Sequence, residues 1–232
     1  MCGRYTLATA DPAQVRARFP IAESVEVRRR YNVAPGDDVL AVTTDRSGAP
    51  RGELLRWGLV PSWAESPESR LKMINARVET VSERPAFRTA FGRFRCLIVA
   101  DGFYEWRSGG PRQPKQAYHI TRADDQLFAF AGLWSVWKGQ DGRQIRSCTI
   151  LTTRPNQAVA ALHDRMPVIL ERDAEQLWLD PGTARSALME LLEPLPDARI
   201  ALRPVGPAVN DARYDGPECL EAPGSEPEQA LL

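Results

Sequence analysis

The segment Arg95-Cys96-Leu97-Ile98-Val99-Ala100 constrains the fold most: five apolar residues in a row, stopped by Asp101-Gly102. So short an apolar run, ended by a turn pair, predicts a buried strand. Further strands are expected at residues 39–44, 53–60, 118–121, 127–134, 148–153, 168–170 and 199–205. Gly and Pro together number 35 of 232 residues, more than an all-helical bundle carries. Helices are few. Asp11-Pro12 supplies an N-cap and a first helical residue for a helix to about Phe19, and Asn156 is a cap for residues 157–162. Residues 173–179 and 183–192 read as two more. The pattern predicts an α+β class: a single domain built on a twisted, barrel-like, mainly antiparallel β-sheet with a few flanking short helices. Its limits are set at residues 1–214, with residues 215–232 an acidic, disordered tail rich in Glu, Pro and Gly.

The formal net charge is zero, but its distribution is uneven. Residues 166–232 hold 5 Lys+Arg and 13 Asp+Glu, which leaves 25 and 17 for residues 1–165. A basic body therefore precedes an acidic end, and a face for polyanions is compatible with the neutral total. Only Lys72, Lys115 and Lys138 are lysines, so the positive charge is nearly all Arg. Arginine suits bidentate phosphate contacts, and a coding bias toward Arg explains the same composition.

The cysteines Cys2, Cys96, Cys148 and Cys219 are far apart and only two histidines exist, His119 and His163. This spacing excludes the usual structural zinc patterns and suits a reducing compartment. No metal and no cofactor is expected. The chain has neither an apolar run that spans a bilayer nor a signal-peptide pattern, so a cytoplasmic protein without membrane contact is expected, as a monomer.

Cys2 directly follows the initiator methionine. Removal of Met1 would leave an α-amine and a thiol on adjacent carbons, with ordinary pKa values near ~7.7 and ~8.5. That pair reacts with aldehydes: the amine forms an imine and the thiol closes a five-membered thiazolidine, gaining from proximity. A small second residue is also common in proteins without such chemistry.

Other polar residues stand in distinctive settings, each with two readings. Asn75, in Ile74-Asn75-Ala76-Arg77-Val78-Glu79-Thr80, is a turn or cap residue or a member of a site. Glu105, between Tyr104 and Trp106, is a buried proton carrier with a raised pKa or a solvent-facing strand residue. His163, in Leu162-His163-Asp164-Arg165-Met166-Pro167, is a proton donor or a surface cap, while His119 reads as a strand residue without a role. Trp57 and Trp63, the latter in a polar loop at residues 61–71, form a stacking platform beside Arg56 and Arg77 if exposed, or belong to the core.

Taken in order, these segments resemble the SOS response-associated peptidase (SRAP) family. The matching pieces are Met1-Cys2-Gly3-Arg4-Tyr5, Tyr31-Asn32-Val33-Ala34-Pro35, Arg56-Trp57-Gly58-Leu59-Val60-Pro61, the Asn75 segment, Cys96 through Trp106, Phe128 through Trp134, and the His163 segment. They run over roughly residues 1–210. The resemblance implies the SRAP fold and a role in the response to DNA damage. It implies removal of the chain's own Met1, a reversible thiazolidine crosslink between Cys2 and abasic sites in single-stranded DNA, and β-elimination at such sites. By the same resemblance Cys2 is the nucleophile, Asn75 holds the Cys2 end and the sugar, Glu105 moves protons, and His163 assists opening of the sugar ring. Arg4, Arg77 and Arg165 match phosphate-contacting positions, and Trp57, Trp63 and Pro35 match positions near the bases. Either Arg84 or Arg88 is a further candidate for DNA contact.

Two other functions fit the same residues. A general cysteine peptidase would use Cys2, His163 and Asn75 on other proteins. A non-catalytic single-strand binding module would need only the arginines and aromatics.

Overall fold

The computed structural model describes residues 2–8, 11–67, 73–110 and 115–224. The strands are β1 (Tyr5–Leu7), β2 (Arg30–Val33), β3 (Asp38–Thr44), β4 (Pro50–Trp57), β5 (Asn75–Arg77), β6 (Arg95–Ala100), β7 (Gly102–Arg107), β8 (Gln116–Arg122), β9 (Phe128–Lys138), β10 (Gln144–Thr153), β11 (Met166–Pro167), β12 (Ile169–Leu170) and β13 (Ile200–Pro204). The helices are α1 (Pro12–Arg18), α2 (Arg88–Arg93), α3 (Gln157–Ala160), α4 (Arg172–Leu179) and α5 (Arg185–Glu190), with 3-10 turns at Asp197–Arg199, Pro207–Asn210 and Pro217–Leu220. The α+β expectation is met, and most expected elements lie within a few residues of their sequence positions.

Strands β10, β4, β3, β6 and β9 pair in that order and β9 returns to β10, closing a barrel. Only the β10–β4 pair in the ring is parallel. A second, wholly antiparallel sheet runs β13-β8-β7-β1-β2. The period of two along the barrel strands divides the core. Leu97 and Val99 of β6 join Leu40, Val42, Ala129, Ala131 and Leu133 in a cluster completed by helix residues such as Val15, Phe91 and Trp178. Cys96, Ile98 and Ala100 join Val39, Ala41, Phe128 and Phe130 in another, which takes in Tyr5, Phe103 and Ile120 of the second sheet. β6 is apolar from Cys96 to Ala100 because both its faces are covered.

Local chemistry sets the boundaries. The Asp11 side chain accepts from the Gln14 N–H at 2.8 Å and opens α1, with Pro12 at its first position. β4 ends earlier than residue 60 because Gly58 adopts φ of +128°, a region that favours glycine. At the β6–β7 turn a Cβ on Gly102 would lie 2.1 Å from His119 Nε2, so no side chain fits there.

Packed contacts continue past the expected boundary at residue 214. The Asp215 carboxylate accepts the backbone N–H groups of Tyr31 (2.6 Å) and Asn32 (2.8 Å) and pairs with Arg30, and Cys219 is fully buried. Polar composition concealed these anchors, since Asp215 works through backbone donors rather than by burying apolar surface. The rest of the expected tail, residues 225–232, lies outside the described residues.

Candidate active site

Cys2 enters β1 from inside the molecule and is fully buried. Two elements hold it. Asn75, the first residue of β5, donates from Nδ2 to the Cys2 carbonyl at 2.9 Å. The Cys2 thiol faces the Arg4 carbonyl at 3.7 Å, and the same carbonyl accepts the Tyr104 N–H of β7 at 3.0 Å. β7 therefore carries Glu105 alongside the Cys2 segment. Asn75 Oδ1 is buried with no partner among the described residues, an arrangement that costs about 1–3 kcal/mol. It is an acceptor suited to an N–H or O–H group.

The charges in this region act on one another. Burial pushes the Cys2 thiol far above its ordinary range, and the negative charge of Glu105 pushes it further. Glu105, 3% exposed, is lifted from 4.5 to about 7 by burial, with Asp164 adding to the rise and the terminal ammonium opposing it. The solvent-facing reading of Glu105 is thereby set aside. His163 follows α3, and its pKa is lowered by burial and then by the positive chain terminus, against the pull of Asp164. In the tautomer with its proton on Nε2, its Nδ1 accepts the Arg165 backbone N–H at 3.0 Å. Asp164 Oδ1 lies 2.8 Å from the same Nδ1, ready to accept from it when the ring is protonated. Cys2, Asn75, Glu105 and His163 are thus brought together from four separate parts of the sequence. Met1 lies outside the described residues.

Each of the three arginines matched to phosphate contacts stands two residues beyond one of these groups: Arg4 after Cys2, Arg77 after Asn75, Arg165 after His163. On β5 that spacing puts Asn75 and Arg77 on the same face. Arg77 is exposed. Arg4 is half-buried and donates from Nη1 to Asn32 Oδ1 at 3.0 Å and to the Val209 carbonyl at 2.6 Å. Arg165 is held end-on by the Glu79 carboxylate, with Nη2 at 2.9 Å from Oε2, and also donates to the Thr152 carbonyl. Neither Asn32 nor Glu79 was assigned a role from the sequence. The available signal for Asn32 was a polar residue between Tyr31 and Val33, where β2 turns into the core.

The aromatics divide. Trp63 is 64% exposed, whereas Trp57 is 1% exposed, packs edge-on against Tyr5 at 5.4 Å and donates to the Ile74 carbonyl at 2.9 Å. Of its two readings Trp57 takes the core one: it ends an alternating strand whose inward face it shares with Leu55. In the loop that carries Trp63, residues 68–71 lie outside the described residues. Pro35 is half-buried, and Arg84 and Arg88 are both exposed. His119 is buried between Thr6 (2.9 Å from Nε2) and Arg203 (3.1 Å from Nδ1), and its pKa falls to about 3, chiefly by burial. It stays neutral and structural. A cleft of about 800 Å³ beside α1 and α4, lined among others by Arg18, Phe19 and Glu175, contains none of the site residues. Among the described residues no group of three or more His, Cys, Asp or Glu is placed to hold a metal ion.

The family described as SOS response associated peptidase (SRAP) matches residues 1–212. The abasic site processing protein YoqW of Bacillus subtilis (strain 168) is 40% identical over 226 residues, spanning 96% of this chain and 100% of that protein. The abasic site processing protein HMCES of Mus musculus is 33% identical over 196 residues, spanning 72% of this chain and 55% of that protein. A crystal structure of a protein from Bacteroides thetaiotaomicron has the same fold, with a TM-score of 0.86 at 24% identity over 95% of this chain and 99% of that one. The chain belongs to the SOS response-associated peptidase (SRAP) family.

Proposed function

We propose that this protein captures abasic sites in single-stranded DNA as a reversible thiazolidine on Cys2, after releasing its own Met1. One observation carries the reading: the carbonyl of Cys2 is held by Asn75 next to Glu105, a buried acid with a pKa of about 7. A carboxyl that gains and loses a proton near neutrality is what a series of proton transfers at one residue requires.

In this reading Glu105 carries protons during hydrolysis of the Met1–Cys2 bond. His163, with its proton on Nε2, donates to the sugar oxygen as the ring opens to the aldehyde. The α-amine of Cys2 adds to the aldehyde carbon, and the adduct loses water to give an imine, while Asn75 Oδ1 accepts from the nitrogen. The thiol then adds across the C=N bond, sulfur to carbon and proton to nitrogen by way of Glu105. One aldehyde, one amine and one thiol give one thiazolidine and one water. The imine is also the branch point for β-elimination of the 3′ phosphate. Arg4, Arg77 and Arg165 hold phosphates, and Trp63 and Pro35 meet bases. The abasic site processing named for YoqW and HMCES supports the choice of substrate.

Intact mass spectrometry tests the proposal. Protein mixed with an oligonucleotide carrying one abasic site is expected to lose Met1 and gain the oligonucleotide mass less one water. Cys2→Ala is expected to form no adduct. Crosslinking by Cys2→Ala at the wild-type level sinks the proposal, and salt-sensitive binding with no covalent product makes the protein a binding module instead.

A further inference from the structure

Asn32 is 1% exposed, and every polar atom of its side chain is engaged. Nδ2 donates to the carbonyls of Asp211 at 2.9 Å and Tyr214 at 2.8 Å, with a longer contact to Val209 at 3.4 Å. Oδ1 accepts from Arg4 Nη1 at 3.0 Å, and that Nη1 also donates to the Val209 carbonyl. The segment supplying these carbonyls, residues 209–215, is fastened at its far end by Asp215 to the backbone N–H groups of Tyr31 and Asn32. On its other side the Arg4 guanidinium lies 5.8 Å from the centre of the Trp106 ring, whose Nε1 donates to Asn210 Oδ1 at 2.8 Å. A long, rotamer-rich side chain is thus enclosed by one amide, one carbonyl and one indole.

We infer that Asn32 is a positioning residue: with the strap 209–215 it fixes the Arg4 guanidinium so that its Nε–Nη2 edge meets a DNA phosphate. The inference rests on the proposed function, in which Arg4 contacts phosphate. Nη1 is committed to the socket, and a planar fork with one end held presents its remaining edge in a defined direction. Arg4 lies two residues beyond Cys2, so holding its guanidinium also sets where the backbone of the bound strand stands relative to the nucleophile.

The test uses the full chain and a single-stranded oligonucleotide with a tetrahydrofuran abasic analogue, which has no aldehyde and reports binding alone. Kd is measured across a salt series for wild type, Arg4→Ala, Asn32→Ala and the double variant. The rate of crosslinking to a true abasic site is measured at saturating DNA. Arg4→Ala and Asn32→Ala are each expected to weaken Kd about five- to tenfold. Both should flatten the salt slope by up to about 0.7, the value for one phosphate contact on a single strand. The double variant should bind no more weakly than Arg4→Ala, with the loss falling on Kd far more than on the rate at saturation. Wild-type Kd and slope in Asn32→Ala, beside a weakened Arg4→Ala, overturn the inference while leaving the phosphate contact standing. Fully additive losses overturn it as well, since Asn32 would then act through another group. Wild-type binding by Arg4→Ala removes the phosphate contact itself, and the inference with it. Should Asn32→Ala fail to fold, Arg4→Lys carries the test. A point charge without a held fork is expected to bind as weakly as Arg4→Ala, and wild-type binding by Arg4→Lys overturns the inference.

Discussion

Replacing Glu105 by glutamine should stabilise the protein at alkaline pH and not at acidic pH. Glu105 is 3% exposed, and burial is the main cause of its rise from 4.5 to about 7. Between those values the folded protein keeps a proton that the unfolded chain has released. The native state then binds more protons, so stability falls as pH rises through this window. Above about pH 7 the ionised carboxylate exerts its full penalty. At about 1.4 kcal/mol per pH unit, the rise from 4.5 to about 7 amounts to about 3 kcal/mol. Glutamine has the same shape and no charge to bury. Glu105→Gln should therefore exceed wild type by up to about 3 kcal/mol at pH 8, with the difference fading toward pH 4.5. For a chain of this size that is a rise in Tm of about 6–12 °C. The lowered pKa of His163 acts with the opposite sign, but it is common to both proteins and drops out of the difference to first order. The assay is urea unfolding at pH 5 and pH 8, paired with crosslinking, which the variant should lose. A stability difference that does not change with pH, or a variant less stable at pH 8, refutes the claim that burial sets the affinity of Glu105 for its proton.

Four further outcomes follow from the same geometry. Trp63→Ala should weaken binding to single-stranded DNA by about 1–3 kcal/mol with Tm unchanged, because a stacked base is lost and no core is opened. Trp57→Ala should destabilise the fold by about 3–5 kcal/mol, and equal Tm losses in the two variants would contradict the division between them. Glu79→Gln should tighten binding to single-stranded DNA about two- to fivefold by releasing the end of the Arg165 fork. Weaker binding by this variant would mean that Glu79 orients Arg165 rather than competing with phosphate. Asp215→Ala should cost about 2 kcal/mol in urea unfolding, since two backbone N–H groups lose their acceptor, and an unchanged midpoint would detach residues 209–215 from the fold.

The strands were legible because their signals are local. The apolar run at β6 and the Asp101-Gly102 stop lie within eight residues, and Asp11-Pro12 fixes a helix start through one side-chain bond. The closing of the ring by β9 and β10, and the parallel pairing of β10 with β4 and β5, depend on contacts between distant segments that no local pattern records. The site divides in the same way. Cys2, Asn75, Glu105 and His163 each kept two readings taken singly, and the ordered resemblance to the SRAP family named them together. Asn32 and Glu79 were given no role, because their work is to hold an arginine that lies 28 residues away in one case and 86 in the other. Trp57 and Trp63 carry the same side chain six positions apart. One precedes a glycine with positive φ at the end of an inward-facing strand and the other stands on a loop, and the sequence left both readings open.

A buried thiol whose pKa is pushed far up is a poor nucleophile by the usual measure, since little thiolate exists at neutral pH. In the proposed route this is consistent, because the amine acts first. Once the imine has formed and its nitrogen is protonated, the iminium carbon is a stronger electrophile than the aldehyde was, and a thiolate need exist only during the step itself. Glu105 links the two stages. Ionised, it is a base able to take the thiol proton; protonated, it no longer repels the sulfur's developing charge. Its affinity for a proton near 7 lets both forms be populated at neutral pH, so closing and reopening the ring draw on the same group. Burial then has a selective consequence. A thiol enclosed at the entrance to β1 is kept from electrophiles in free solution, and its partner is the one carbonyl carbon already joined to the adjacent amine. The desolvation that raises both pKa values and the restriction of Cys2 to one class of substrate are, on this argument, two results of placing that residue inside the sheet.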